Sequence, residues 1–193
     1  MSTIVVARKN QQVCIAADTL TSIGETRLSA KYDVYHDKIQ LCGDTWLGIV
    51  GSAAHSLVVE DIFAEAELEY DFSSREGIFR TFVRLHSILK EKYFLLPNAK
   101  SQDDDPYETS HIDAVIANRH GIFAVYSLRD SNEFHRFWAV GSGADYALGA
   151  MHAVYDSAGS AEEIARAGVA AGAEFDTSSA LPMTFKTIDL VES

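Results

Sequence analysis

Cysteine, basic residues and long apolar runs are all scarce in this sequence. Its two cysteines, Cys14 and Cys42, sit in or beside strand-like apolar runs, with no C-x-x-C and no zinc-finger spacing. That leaves no disulfide framework and no cysteine-bound metal, and both read as reduced, small core residues of a reducing compartment. Lysine and arginine together number 16 against 28 acidic residues, a net charge of -12. A nucleic-acid binder normally carries a basic footprint, and an acidic membrane surface would repel this chain. No apolar run approaches the roughly 18–20 residues of a membrane span. The apolar run at the start, Ile4-Val5-Val6-Ala7, is too short for a signal peptide and precedes Arg8-Lys9. The expected location is therefore cytoplasmic.

Several catalytic signatures are missing as well. There is no H-E-x-x-H and no G-x-S-x-G elbow among the 193 residues. Gly141-Ser142-Gly143-Ala144-Asp145-Tyr146-Ala147 lacks the full glycine pattern of a dinucleotide loop and lies outside a βαβ unit. No metal and no cofactor are expected. The seven histidines are scattered, and His55 and His152 fall on helical patterns as structural or exposed residues.

What is present is a normal globular balance, 47% hydrophobic and 23% charged, in a chain sized for one domain over residues 1–193. Residues 3–8 and 13–17 are apolar at consecutive positions, as in strands covered on both faces. With Lys9-Asn10-Gln11-Gln12 between them they form a hairpin pattern. Residues 38–42 and 46–50 form a second hairpin around Gly43-Asp44. Three-and-four spacing predicts helices over 52–69 and about 74–94, the second starting at Ser73 or Ser74 with Glu76. Residues 97–109, with Asp103-Asp104-Asp105-Pro106, read as a solvated loop. Strands follow at 111–117, 122–126 and 134–140, Ala-rich helices at 142–155 and 161–173, and a last strand at 183–190. There is no linker or low-complexity tract. The early strands have no helical crossover, which excludes a doubly wound parallel sheet. Two stacked sheets with a helix pair outside each would cover every apolar face, giving an α+β protein built as a four-layer αββα sandwich.

A strand beginning so near the first residue gives Ser2 a chemical meaning. Removal of Met1 before a small residue would leave the Ser2 hydroxyl and a free α-amine on one Cα. An α-amine has a pKa of roughly 7.7–8.0 and can act as base for its own hydroxyl. Asp18 closes the second apolar strand beside the start of the first. Gly51-Ser52-Ala53-Ala54 leads into a helix N-terminus, where free N–H groups could hold an oxyanion.

In these pieces the sequence resembles the proteasome β-subunit and HslV-type peptidase superfamily of N-terminal nucleophile hydrolases. The motifs are S-T-I-V-V, I-A-A-D, H-D-K-I, G-I-V-G-S-A-A, A-V-G-S-G-A-D-Y-A and F-D-T-S-S, in order along nearly the whole chain. The overall pattern looks most like the small β-proteobacterial proteasome homologues. The resemblance implies Ser2 as nucleophile where the family usually has Thr. It implies Asp18, sixteen residues on, as the carboxylate, and Lys38 as the lysine beside the nucleophile, with Lys31 as the alternative because residues 19–37 carry an insertion. It implies Gly51 as oxyanion donor, and Ser142, Asp176 and Ser179 as the group orienting the amine. Ser22 would meet substrate backbone, and Ile49 and Ala53 would line the pocket for the residue before the cut. The implied activity is a threonine-type endopeptidase with an N-terminal Ser. It would work as a homo-oligomer of stacked rings on unfolded polypeptide or peptides, with room for an ATP-dependent unfoldase partner. The alternatives are an inactive or unprocessed ring-forming scaffold and a small-amide amidase of the same fold.

Overall fold

The computed structural model describes residues 2–64, 69–95 and 108–191. The first hairpin is β1 (Ile4–Lys9) and β2 (Gln12–Asp18). Its ladder closes on Lys9 opposite Gln12 across Asn10 and Gln11, both at positive φ, as a two-residue primed turn requires. A small hairpin, β3 (Thr21–Ile23) with β4 (Thr26–Leu28), follows, then β5 (Ile39–Cys42) and β6 (Thr45–Val50). Helices α1 (Ala53–Ala64) and α2 (Arg75–Glu91) come next. The expected extension of α1 across 65–68, and all but the end of the expected loop at 97–109, lie outside the described residues. Ser74 caps α2, accepting the Gly77 N–H at 3.1 Å, a contact worth about 1 kcal/mol.

Strands β7 (Asp113–Asn118), β8 (Gly121–Val125), β9 (Ser131–Phe134) and β10 (Phe137–Val140) precede α3 (Ala144–Val154), α4 (Ala161–Phe175) and β11 (Met183–Asp189). One sheet has the order β10-β1-β2-β11 and the other β5-β6-β7-β8-β9, with every ladder antiparallel. Helices α3 and α4 cover the first sheet, and α1 and α2 the second.

Side-chain alternation along the strands then produces three cores. Val5, Ala7, Cys14 and Ala16 face α3 and α4, alongside Met151, Ile164 and Val169. Ile4, Val6, Ile15 and Ala17 point the other way, onto Val115, Ala117, Ile122 and Ala124 of the second sheet. Leu47, Ile49, Ile116 and Phe123 face α1 and α2, against Ile62, Ile78, Phe82 and Leu85. Consecutive apolar residues in β1 and β2 thus have two covers, as the sequence requires, and the architecture is the four-layer αββα sandwich.

Two parts of the strand pattern are corrected. The single strand expected over 134–140 is two strands in different sheets. Its polar middle, His135-Arg136, crosses between them, and Arg8 N–H bonds the Arg136 carbonyl as β10 joins β1. The β3–β4 hairpin lies in the segment read only as an insertion. Its Ile23 is 66% exposed and its strands are three residues each, so it carries no burial pattern to detect.

Candidate active site

Antiparallel pairing of β1 with β2 puts the first residues of the chain beside the end of β2, where Asp18 sits with no solvent exposure. A buried carboxylate needs its lone pairs met, and both oxygens are engaged. Oδ1 accepts the Lys38 ammonium at 2.7 Å and the Thr3 N–H at 2.9 Å. Oδ2 accepts the Leu20 N–H at 3.0 Å and the Ala180 N–H at 3.1 Å. One side chain therefore ties together the chain start, the lysine before β5 and the segment before β11.

The Lys38 side chain is 14% exposed. Burial lowers its pKa below the ordinary lysine value, outweighing the upward pull of the Asp18 charge and hydrogen bond. A proton is thus held less firmly than on a surface lysine. Lys31, the alternative, is exposed in the segment after β4, and it is Lys38 that meets Asp18.

A second hydrogen-bonded chain lies on the α3–α4 side. The Ser142 and Ser179 hydroxyls both donate to Asp176 Oδ2, each at 2.7 Å. The Ser179 proton is spent on Asp176, so the 2.7 Å contact between Thr3 Oγ1 and Ser179 Oγ has Thr3 as donor. Burial pushes the Asp176 pKa up, but bonds from Ser179, Ser142 and the Ser178 N–H together hold it below the usual aspartate value. Asp176 follows α4, whose last turn receives its N–H, and α3 is capped by Gly143 without a side-chain bond. Ser142, which would otherwise suit a helix cap, is free to reach Asp176.

Backbone close approach fixes Ser2, which is 7% exposed. The Ser2 carbonyl accepts the Gly143 N–H at 3.3 Å. A Cβ on Gly141, at φ +97°, would lie 2.1 Å from that carbonyl oxygen. Only glycine serves there, on steric and backbone grounds together. The strand alternation carried back from Ile4 turns Ser2 toward the space between the sheets, whereas Thr3 points toward α4. Thr3 Oγ1 is pressed so close to Gly143 and Gly172 that a Cβ on either would lie 2.0 or 2.3 Å away.

Gly51 follows β6, next to the His111 carbonyl and the His55 ring. Ser52 Oγ accepts the Ala54 N–H at 3.3 Å, capping α1. Ser2, Asp18 and Lys38 thus belong with one end of the sheet pair, and Ser142, Asp176 and Ser179 with the adjoining helix ends. The remaining residues lie outside both hydrogen-bonded groups. Ser22 is exposed in β3, opposite Arg27. Ile49 is 6% exposed in the core beneath α1 and α2. Ala53 opens α1, and its side chain lies outside what is described.

The sequence reading gave no positioning role to Thr3, Gly141, Gly143 or Gly172, nor to the Leu20 and Ala180 N–H groups. The glycines flanking Ser142 were the available signal. The backbone donors leave none, since any residue but proline supplies an N–H. Among the described residues there is no cluster of three His, Cys, Asp or Glu able to hold a metal, and no helix long and apolar enough to cross a membrane.

No protein-family model matches the chain, and no curated protein matches it. Solved structures do. It is similar to Thiobacillus denitrificans BPH, at TM-score 0.92 and 41% identity over 99% of this chain and 100% of that one. It is similar likewise to the same protein in complex with epoxomicin, at TM-score 0.91 and 40% identity over 98% of this chain and 100% of that one. HslV from Trypanosoma brucei shares the fold, at TM-score 0.68 and 20% identity over 97% of this chain and 99% of that one.

Proposed function

The chain belongs to the proteasome/HslV-type superfamily of N-terminal nucleophile hydrolases, and on that premise we propose that it is a peptidase whose nucleophile is Ser2, freed by removal of Met1. The observation that carries this reading is the Asp18 carboxylate. It holds the Thr3 N–H and the Lys38 ammonium on one oxygen, 2.9 and 2.7 Å away, and so fixes a lysine beside the residue that follows Ser2.

In the proposed reaction the Ser2 hydroxyl attacks a peptide carbonyl carbon. Its proton passes to the Ser2 α-amine, directly or through a water, and the tetrahedral oxyanion accepts the Gly51 N–H. Collapse expels the leaving amine, which takes the proton from the α-amine, and leaves an ester on Ser2. Water then attacks the ester, with the same amine as base, and releases the acid. Lys38, with its depressed pKa, lowers the proton affinity of the hydroxyl by its charge. A well-placed base contributes on the order of 10²–10⁴-fold and an oxyanion donor about 10²–10³-fold. Ser142, Asp176 and Ser179 orient the amine, with Asp176 kept ionised by its three hydrogen bonds. Ser22 meets substrate backbone, while Ile49 and Ala53, on either side of Gly51, shape the pocket for the residue before the cut.

The working form is a homo-oligomer of stacked rings that admits unfolded polypeptide or peptides, in the cytoplasm. Peptide turnover by the wild type and its loss in Ser2→Ala test the proposal. Full activity in Ser2→Ala would remove Ser2 from the mechanism. Turnover of small amides but not of peptides would favour an amidase, and no turnover of either a scaffold.

A further inference from the structure

His55 sits in the first turns of α1, 6% exposed, with its ring against Gly51: a Cβ placed on Gly51 would lie 3.3 Å from His55 Nδ1 and 3.0 Å from the His111 carbonyl oxygen. The ring accepts the Ser52 N–H at Nδ1, at 3.3 Å, while the His55 N–H bonds back to the Ser52 carbonyl at 2.9 Å. Accepting at Nδ1 assigns the neutral ring with its proton on Nε2. Nε2 is buried and has no hydrogen-bond partner among the described residues. An apolar residue would fill this site at lower cost to stability. The feature the histidine adds is the lone pair on Nδ1 that fixes the peptide following Gly51.

We propose that His55 is a positioning residue: as the neutral Nε2–H tautomer, it holds the Gly51–Ser52 peptide, so fixes the backbone dihedrals at Gly51, and through them sets the adjoining Val50–Gly51 peptide whose N–H faces the oxyanion. The inference rests on the peptidase reading of the site. Protonation would turn Nδ1 into a donor facing the Ser52 N–H, and the peptide would swing away. Burial, and secondarily the charge of His111 on the segment entering β7, keep the His55 pKa below its ordinary value and the ring neutral in the working range. His111 is the titratable neighbour acting on it; Gln40 of β5, which bonds the Ser56 carbonyl of the same helix, is uncharged.

Two measurements test this. The first needs no activity: nitrogen-15 histidine spectra of the Ser2→Ala protein report the tautomer of His55 near pH 8. An Nε2–H ring is expected, and an Nδ1–H ring overturns the proposal while leaving the peptidase reading intact. The second is the pH profile of kcat/KM. The α-amine, with a pKa of roughly 7.7–8.0, gives an acid limb of unit slope. His55 adds a second unit of slope below its own pKa, under about 6.5. His55→Asn places an uncharged acceptor oxygen near the Nδ1 position. It should restore most of the kcat lost in His55→Ala, a loss of about tenfold or more with KM little changed, and return the acid limb to unit slope. A second-order limb that survives in His55→Asn overturns the proposal. Full turnover in Ser2→Ala would instead overturn the peptidase reading on which it rests.

Discussion

Replacing Asp18 by Asn should destabilise the protein severely, because the site has no use for an amide. Each carboxylate oxygen accepts from two donors: Lys38 Nζ and Thr3 N–H on Oδ1, Leu20 N–H and Ala180 N–H on Oδ2. An Asn side chain offers one oxygen and one NH₂. Whichever way it turns, two donors lose their acceptor and face another donor. At about 1–3 kcal/mol for each buried unmet group, the loss is about 2–6 kcal/mol. Breaking a buried ion pair by removing one partner gives a similar range, about 3–5 kcal/mol, since Lys38 is left as an uncompensated buried cation. For a chain of this size each kcal/mol moves Tm by about 2–4 °C, so Asp18→Asn should melt roughly 6–20 °C below the wild type. The assay is thermal unfolding at neutral pH and fixed protein concentration, which removes the effect of any oligomerisation. Lys38→Met completes a double-mutant cycle, and the double variant should be less destabilised than the two single losses added, by about 0.5–3 kcal/mol. A Tm within about 2 °C of the wild type for Asp18→Asn would refute the idea that this carboxylate organises the chain start.

Gly141→Ala should lower peptide turnover by about 10²-fold or more, since its Cβ would displace the Ser2 carbonyl from 2.1 Å away; a steady-state assay checks it, and near-normal turnover contradicts it. Lys38 has a folded pKa below its unfolded value, so the unfolded chain binds more protons between the two. Wild-type stability should therefore rise relative to Lys38→Met as pH climbs toward about 10.5, and denaturant titrations at several pH values would show a flat difference if burial did not depress it. Asp176 has a linkage of the same sign in a lower window: its pKa is held below the ordinary aspartate value of 3.8, so its contribution is present above that pH and fades as pH falls further. The stability gap between the wild type and Asp176→Asn should close in acid unfolding below about pH 3.8, and a gap that widens would reverse the assignment.

The parts of the fold legible in the sequence were those written in burial. Consecutive apolar residues in Ile4–Ala7 and Val13–Ala17 demand two covers, and the helix patterns supply them. The β3–β4 hairpin and the break at His135-Arg136 escaped because exposed three-residue strands and a polar crossing leave no apolar periodicity. In the site, Asp18 and Lys38 were readable from motif order, and the structure joins them at 2.7 Å. The pairing of Thr3 with Ser179 was not readable, because it spans 176 residues and depends on how closely α4 approaches β1. Nor was the bond from the Ser52 N–H to His55, since a lone histidine on a helical pattern says nothing about which way its ring faces.

The central claim is that Ser2 carries both the nucleophile and its base. Intact-mass analysis of the natively expressed, turnover-competent protein, before and after reaction with a covalent hydroxyl-directed peptide probe, tests it most directly. The account predicts a chain lacking Met1 that gains one probe per subunit, with the adduct on Ser2. Quantitative retention of Met1 in protein that still turns over peptide would contradict it, because the Ser2 nitrogen would then be an amide whose delocalised lone pair cannot accept a proton.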